Sequence, residues 1–330
     1  MKVLGMGNAL VDKMTTLPSD TLLKELSLKK GSMQLVDKEF SNTALEKVSH
    51  LSTVEKSGGS AANTICGLAS LGVETAFIGK IGKDRLGEVF QKDLQHYGVT
   101  PLMKFSDSET GLALALVSRN GERTFATYLG AGGEMEPDEL NVALFKGYTH
   151  FYIEGYLMQH HELIRKAVEL AKEAGLDVII DMASFNVVED NLDFLHFLVK
   201  EYADIVFANA DEARAYTGES NPEKALTAIA EDCWISVVKV GAKGSLIQVG
   251  NTVYRVPAQA VKCIDTTGAG DLYAAGFLYG LHHQLKHSLC GEMGTILAGK
   301  VIEVIGAKIP DEEWQGIQEQ IKQVLYKQIG

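Results

Sequence analysis

The chain has few of the residues that mark several classes of protein. Its four cysteines in 330 residues show no Cys-x-x-Cys spacing, which argues against a disulfide framework or a metal cluster and predicts reduced thiols. Lys and Arg number 31 against 43 Asp and Glu, a net charge of −12, which disfavours a nucleic-acid polymer as partner. No apolar run approaches the roughly 20 residues that span a bilayer, and the N-terminus shows no apolar signal region. We therefore expect a cytoplasmic protein that binds small molecules rather than membranes.

Histidine offers no metal site at the sequence level. The two adjacent pairs are His160–His161 and His282–His283. Neighbouring residues on a helix point about 100° apart, so neither pair makes a chelating face. Both pairs are predicted to lie at a surface or a helix end.

What the chain does have is an alternation of short apolar runs and longer helical stretches, which predicts βα units and a mostly parallel sheet. The predicted strands are Lys2–Gly7, Thr75–Ile78, His150–Ile153, Val178–Asp181, Ile205–Phe207 and Ile235–Lys239. The predicted helices are Ala61–Leu71, Asp84–Tyr97, Leu163–Ala174, Leu192–Tyr202 and Asp211–Thr217. After Asp271 the pattern is almost entirely helical. No repeat or linker interrupts it, which indicates one principal domain over residues 1–330.

Two segments depart from this rhythm. Residues 12–54 form a polar excursion with a predicted strand at Gly31–Asp37. Farther on, the alternating runs Leu112–Val117 and Thr124–Tyr128 flank Asn120-Gly121, a strong hairpin signal. From the residues alone this is a surface hairpin.

The densest chemical signal is Asp265-Thr-Thr-Gly-Ala-Gly-Asp271 before an apolar helical run. Gly268, Ala269 and Gly270 allow backbone N–H groups to approach an anion at a helix N-terminus. Asp271 then stands beside that anion as a proton acceptor. These are the parts that phosphoryl transfer to a hydroxyl requires. A tight turn with a helix cap explains the same residues.

Three further motifs accompany it: Gly58-Gly-Ser-Ala-Ala-Asn63, Asn209-Ala-Asp-Glu212 and Lys239-Val-Gly-Ala-Lys-Gly244. Each has an ordinary structural explanation, as a tightly packed helix start, a capped helix and a β-turn. In this order, however, the four motifs resemble those of the ribokinase-like (phosphofructokinase-B type) carbohydrate and nucleoside kinases across nearly the whole chain. The resemblance implies a three-layer α/β/α fold with a mostly parallel sheet. It also implies a small β lid, drawn from about 12–54 and 110–130, over the acceptor.

The same resemblance implies roles for individual residues. Asp271 is the expected general base and Gly268–Gly270 the anion hole. Asn209 and Glu212 are expected to place ATP and Mg²⁺, with Glu212 reaching the metal through water, a manner that suits a hard cation. Lys239, Gly241 and Gly244 are expected ATP contacts, and Asp265 and Thr267 are expected to supply oxygens to a K⁺ site. The expected acceptor-binding residues are Asn8, Asp12, Gly58, Gly59 and Asn63.

The acceptor is a nucleoside or a free sugar. Many sugar kinases of the family carry Gly-Gly-Lys-Gly-Ala-Asn and Asp-Pro-Asn-x-Arg, where this chain has Gly58–Asn63 and Asp181-Met-Ala-Ser-Phe-Asn186. Its Gly7–Asp12 and Arg123–Ala131 segments look more like adenosine-kinase-like members, which favours a nucleoside, adenosine first. Phe125, Tyr128 and Phe185 are candidates to stack on a purine, or else core residues. Ribose, fructose and 2-keto-3-deoxygluconate remain the sugar alternatives.

Two rival classes are weaker. Gly5-Met-Gly7 follows a strand, but the third glycine of a dinucleotide-binding fingerprint is missing. A catalytically silent sugar or nucleoside sensor on the same fold is the other rival, and the intact Asp271 argues against it. The sequence leaves open whether the protein is a monomer or a homodimer.

Overall fold

The computed structural model describes residues 1–328. Within them the strands are β1 (Lys2–Met6), β2 (Leu10–Thr16), β3 (Met33–Leu35), β4 (Thr53–Gly58), β5 (Glu74–Gly82), β6 (Thr100–Ser106), β7 (Thr110–Val117), β8 (Arg123–Gly130), β9 (His150–Glu154), β10 (Asp177–Asp181), β11 (Ala203–Asn209), β12 (Ile235–Lys239), β13 (Ser245–Val249) and β14 (Thr252–Val256). The α-helices are α1 (Thr21–Glu25), α2 (Lys38–Val48), α3 (Ser60–Ser70), α4 (Arg85–His96), α5 (His161–Glu173), α6 (Phe185–Asp190), α7 (Leu192–Tyr202), α8 (Ala210–Thr217), α9 (Pro222–Ile229), α10 (Ala269–His282), α11 (His287–Val301) and α12 (Trp314–Lys327). None of these helices is long and apolar enough to cross a membrane.

A large sheet forms the centre of the molecule. Its strand order is β14-β13-β12-β11-β10-β9-β1-β5-β6. From β6 to β12 every neighbouring pair is parallel, whereas the β12–β13 and β13–β14 pairs are antiparallel. Helices connect the parallel strands, as the βα alternation predicts. The predicted fold class is confirmed.

The central strands are apolar on both faces because helices cover both faces. In β10, Val178 and Ile180 pack into the core on one side and Ile179 into the core on the other. Helices α5, α7 and α9 contact one face, and α3 and α11 contact the other. Such two-sided burial explains why these strands are continuous apolar runs rather than alternating ones.

Two glycines of α10 allow α10 and α11 to pack close together. A Cβ on Gly276 of α10 would lie 2.4 Å from the carbonyl oxygen of Met293 in α11, and a Cβ on Gly280 would lie 2.7 Å from Cys290 Cα. Because only glycine permits this approach, α10 and α11 form one rigid pair. That pair holds the N-terminus of α10 in place beside the large sheet.

A second sheet, hereafter the small sheet, has the order β3-β8-β7-β2-β4. The predicted hairpin is confirmed as antiparallel β7 and β8, and β3 lies within the predicted Gly31–Asp37 strand. Helices α1 and α2 cover its outer side with a separate apolar cluster that includes Leu23, Val48 and Leu114. The small sheet therefore has a core of its own, distinct from the two cores of the large sheet.

The chain passes between the sheets in short steps. Only Gly7–Ala9 separate β1 of the large sheet from β2 of the small one, and Gly59 alone separates β4 from α3. As a result, residues at these crossings face the space between the two sheets. That space holds the candidate site.

Candidate active site

A cavity of about 940 Å³ opens at the carboxyl ends of the large-sheet strands, beneath the small sheet. Most of the residues that the sequence analysis selected line it: Asn8, Asp12, Gly59, Asn63, Asn209, Glu212, Lys239, Gly241, Gly244, Thr267, Gly268, Ala269, Gly270 and Asp271. Gly58 and Asp265 do not line it and lie directly behind its wall. Residues up to 263 positions apart in sequence thus meet at one place, where open α/β sheets bind their ligands.

A row of polar side chains crosses the floor of the cavity because four adjacent strands each end in one. Glu154 ends β9, Asp181 ends β10, Asn209 ends β11 and Lys239 ends β12. Register pairs Asp181 with Glu154 and Asn209 with Lys239. The sequence analysis selected the last two but missed Glu154 and Asp181. The signal that identifies them is a carboxylate at the last position of a buried parallel strand.

Asp271 lies in the first turn of α10 with both carboxylate oxygens engaged. Ser60 Oγ donates to Oδ1 at 2.7 Å and Asn63 Nδ2 donates to Oδ2 at 2.9 Å. Burial raises the pKa of Asp271 to about 6, against the lowering effect of these two donors. The side chain is therefore ionised at neutral pH and still basic enough to take a proton. Ser60 was absent from the predicted site residues.

The N-terminus of α10 presents backbone donors to the cavity. Gly268 is its N-cap with φ of 75°, a conformation that glycine adopts without strain. A Cβ there would also lie 2.7 Å from Ala307 Cα. The Ala269 N–H donates to the Thr266 carbonyl oxygen at 3.2 Å. Gly270 also lines the cavity, and its N–H is among the first-turn donors that a helix leaves without an intrahelical partner.

Lys239 brings a positive charge to the same point. Its Nζ lies 3.0 Å from where a Cβ on Gly270 would stand, and 3.0 Å from Asp181 Oδ2. Burial alone lowers the pKa of Lys239, but the Asp181 and Glu212 carboxylates outweigh it and leave the pKa above its usual value. The ammonium group is thus charged and held against the helix N-terminus.

Asp12, on β2 of the small sheet, faces the cavity from the opposite side. Burial raises its pKa to about 7, while the nearby Lys308 lowers it and the charge of Asp271 raises it further. A Cβ on Gly58 would lie 2.1 Å from Asp12 Oδ1. Gly58 therefore makes room for the Asp12 carboxylate.

Glu154 ties the β1–β2 crossing to α3. Its Oε1 accepts from the Asn8 backbone N–H at 2.9 Å and from Asn8 Nδ2 at 3.3 Å, and its Oε2 accepts from the Ala61 N–H at 2.6 Å. Burial raises the pKa of Glu154 to about 7 despite these donors. One side chain thus fixes both Asn8 and the helix start that carries Ser60 and Asn63.

Asn209 and Glu212 form a capping box at the start of α8. Asn209 Oδ1 accepts from the N–H of Glu212 at 2.9 Å, and Glu212 Oε2 accepts from the N–H of Asn209 at 2.7 Å. Each Glu212 oxygen already accepts one hydrogen bond from Asn209. The donor set therefore suits a hydrated Mg²⁺ that contacts Glu212 through a water, and it suits direct ligation poorly.

The side chains of Asp265 and Thr267 do not fit the expected K⁺ site. Asp265, 8% exposed, forms an ion pair with Arg123 of β8, and Arg123 Nη1 donates to Thr267 Oγ1 at 2.5 Å. A guanidinium therefore stands where the resemblance implies a metal cation. These contacts argue against K⁺ ligation by these two side chains, which stays a prediction to be tested.

Apolar residues of the small sheet cover one end of the cavity. They are Leu10, Met33, Leu35, Ala113, Phe125 and Leu129. Of the three aromatic candidates, Phe125 lines the cavity, whereas Tyr128 and Phe185 are absent from its lining. The opposite end lies between α11 and residues 258–263, with Val261, Ala298 and Ile302 among its walls.

Asp271, the Lys239 ammonium group and the glycine-rich N-terminus of α10 meet in the cavity between the two sheets, in a fold of the ribokinase-like α/β class. The model of the pfkB family carbohydrate kinase matches residues 30–314. The chain belongs to that family and is a phosphotransferase that acts on a sugar or nucleoside acceptor.

Solved structures and a curated relative support this assignment. The adenosine kinase of Sinorhizobium meliloti superposes with a TM-score of 0.88 at 34% identity, over 97% of this chain and 98% of the other. A probable sugar kinase from Rhizobium etli CFN 42 gives 0.88 at 33% identity, over 98% of both. The adenosine kinase of Saccharomyces cerevisiae is 28% identical over 331 residues, 93% of this chain and 96% of that protein. These relatives include both acceptor classes, so they fix the reaction type and leave the acceptor open.

Proposed function

We propose that the protein transfers the γ-phosphate of ATP to the 5′-hydroxyl of a nucleoside, adenosine first. Asp271 takes the proton from that hydroxyl, and the oxygen attacks the γ-phosphorus. The bond from this phosphorus to the oxygen that bridges to the β-phosphate breaks, and ADP leaves. An aligned base of this kind contributes about 10²–10⁴-fold in rate.

The apolar cover of the small sheet carries the choice of a nucleoside. A free sugar carries hydroxyls on most of its ring carbons, and burying them without partners against Leu10, Leu35, Phe125 and Leu129 costs free energy. A purine buries its faces there and stacks on the Phe125 ring. The match to an adenosine kinase at 34% identity is consistent with this choice.

Polar groups deeper in the cavity suit the ribose. Asn63 Oδ1 is buried and has no hydrogen-bond partner among residues 1–328, so it is available to accept from a hydroxyl. Asp12 lines the same region, and a carboxylate binds two vicinal hydroxyls well. Asn8 and Gly59 complete this wall. These residues place the 5′-hydroxyl toward Asp271.

The phosphates of ATP lie at the α10 N-terminus in this proposal. The turn of Gly268, Ala269 and Gly270 accommodates the transferred group, and Lys239 neutralises its charge. Gly241 and Gly244, just after β12, line the path toward the nucleotide end of the cavity. Asn209 and Glu212 would hold Mg²⁺ through its waters, and the bound ion would supply further charge neutralisation.

The small sheet acts in this proposal as a lid of a single kinase domain. It covers the acceptor end of the cavity and excludes water that would compete for the γ-phosphate. Its strands extend from Leu10 to Gly58 and from Thr110 to Gly130. The first stretch goes slightly beyond the predicted 12–54, and the second coincides with the predicted 110–130.

The test is ADP production by the purified protein with Mg-ATP, across adenosine, inosine, guanosine, ribose, fructose and 2-keto-3-deoxygluconate. Asp271→Asn serves as the blank, with circular dichroism and ATP binding as checks of its fold. Turnover on a nucleoside that the variant loses supports the proposal. Turnover on a free sugar alone overturns the acceptor, and equal turnover by the variant overturns the role of Asp271.

A further inference from the structure

Besides Lys239, a second positive charge lies beside the anion-hole loop, and it belongs to Arg123 of the small sheet. Arg123 is the first residue of β8, and its guanidinium contacts the Asp265 carboxylate and the Thr267 hydroxyl. The Arg123 and Asp265 side chains are only 7% and 6% exposed. Thr267 immediately precedes Gly268, the N-cap of α10. Arg123 therefore reaches from one sheet to the start of the anion hole on the other.

The Asp265 carboxylate has no acceptor site left. Its Oδ1 accepts from the Thr267 N–H at 3.1 Å and from Thr267 Oγ1 at 2.9 Å. Its Oδ2 accepts from the Gly306 N–H at 2.6 Å and from Arg123. A carboxylate offers about four lone-pair sites, and all are occupied by donors of the protein itself. A metal cation at Asp265 would have to displace one of them, and Arg123 already neutralises the charge.

We propose that Arg123 is a positioning residue that takes the place of a monovalent cation behind the anion hole, so that the reaction proceeds without K⁺. The guanidinium holds Asp265 and Thr267, and through them the backbone of Gly268–Gly270, in the conformation that receives the transferred phosphate. This inference rests on the proposed kinase function. The Arg123 contact also couples the small sheet to the anion hole, because the guanidinium is part of β8, whereas a K⁺ ion would be taken up from solvent.

The first experiment compares K⁺ with tetramethylammonium at matched ionic strength, using the wild-type protein. Three quantities are measured: the dissociation constant of Mg-ATP by calorimetry, the melting temperature, and turnover with the acceptor that the ADP-production assay identifies. The expected result is that none of the three depends on the cation. A weaker affinity for ATP, a lower melting temperature or a lower turnover in tetramethylammonium than in K⁺ overturns the inference.

The second experiment uses Arg123→Met, which removes the charge but keeps an unbranched side chain. Turnover in tetramethylammonium is expected to fall about tenfold or more, mainly in kcat, because the anion hole is misplaced. Added guanidinium or K⁺ is expected to restore part of the lost turnover. If Arg123 had only a structural role, neither cation would restore turnover. Arg119→Met, an exposed position on the same hairpin, is the matched control and should behave like the parent.

Arg123→Lys keeps the charge and guards against a folding failure of the first variant. It is expected to retain more activity than Arg123→Met and to stay independent of K⁺. Parental turnover by Arg123→Met in the absence of K⁺ overturns the inference. If no acceptor is phosphorylated, the proposed function fails, whereas the cation dependence of ATP binding and melting still decides the role of Arg123.

Discussion

Ser60 Oγ donates a 2.7 Å hydrogen bond to Asp271 Oδ1, across 211 positions of sequence. This contact stabilises the ionised form of the carboxylate and so lowers the pKa of Asp271, whereas burial raises it, to about 6 overall. Helix α3 therefore tunes the candidate base on α10. The sugar kinases whose motif carries lysine at this point place a charge where this chain has a hydroxyl.

The first prediction concerns the pH dependence of kcat/KM. The base must be ionised, so kcat/KM should rise with pH through an apparent pKa of about 6. Ser60→Ala removes a donor to the ionised form and should move this limb to higher pH. Thr64→Val is the control, because Thr64 Oγ1 donates to the backbone oxygen of Asp271 and not to its carboxylate. A limb that stays in place in Ser60→Ala contradicts the assignment.

The second prediction concerns Lys239. Lys239→Met should lower kcat about 10²–10³-fold, the usual effect of losing one donor to transition-state charge. It should also destabilise the fold by about 3–5 kcal/mol, because Asp181 is left as a buried unpaired carboxylate. The double variant Lys239→Met/Asp181→Asn separates the two effects. Its stability, measured by urea unfolding, should recover while kcat does not, and joint recovery would assign Lys239 a structural role only.

The third prediction concerns Gly58. Gly58→Ala should push the Asp12 carboxylate out of place, because the new Cβ would lie 2.1 Å from Asp12 Oδ1. We expect a rise in the KM for the acceptor of about tenfold or more, with the affinity for ATP unchanged. Gly316→Ala on α12, where an added Cβ meets nothing within 4 Å, is the matched control. Equal KM values in the two variants would show that Asp12 does not bind the acceptor.

The fourth prediction concerns stability against pH. The folded-state pKa of Glu154 is raised from 4.5 to about 7, so the folded state keeps a proton that the unfolded state has lost. Its contribution to the free energy of unfolding is present below about pH 4.5 and is lost as pH rises through about 7, in total on the order of 3 kcal/mol. Asp12 acts in the same direction.

Urea unfolding at a series of pH values across this window measures the effect. Wild-type stability should fall as pH rises, and Glu154→Gln should show a shallower fall, whatever its absolute stability. Parallel curves for the two proteins would mean that Glu154 is ionised throughout.

Local patterns in the sequence predicted most strands of the large sheet. Two-sided apolar runs such as Val178–Asp181 are buried by helices on both faces, and Asn120-Gly121 has the backbone freedom that a hairpin turn needs. The edge strand β6 was missed because Pro101 and Lys104 interrupt its pattern, which an edge tolerates. Helix α9 was missed too, although Asn221 caps it and Pro222 opens it.

Contacts between residues far apart in the sequence could not be predicted from local sequence patterns. Glu154 and Asp181 belong to ordinary buried strands until the sheet sets their ends side by side. The pairing of Arg123 with Asp265 joins the β7–β8 hairpin to a loop that follows the last strand of the large sheet, and no spacing in the sequence indicates it. The contacts of Arg123 argue against K⁺ ligation by Asp265 and Thr267, and the measurement of K⁺ dependence described above decides the point. The roles of the other site residues stay predictions until the variants above are measured.

The small sheet is assembled from two stretches of chain, with α3, β5, α4 and β6 of the main body between them. Its central contact, β2 against β7, pairs Leu10 with Gly111. During synthesis β2 and β4 therefore leave the ribosome long before β7 and β8 arrive to pair with them, and closing such a loop is slow. The small sheet is thus expected to fold late. Until β7 pairs with it, β2 exposes an unpaired edge, so a nascent chain halted before residue 110 presents a surface for chaperones or aggregation.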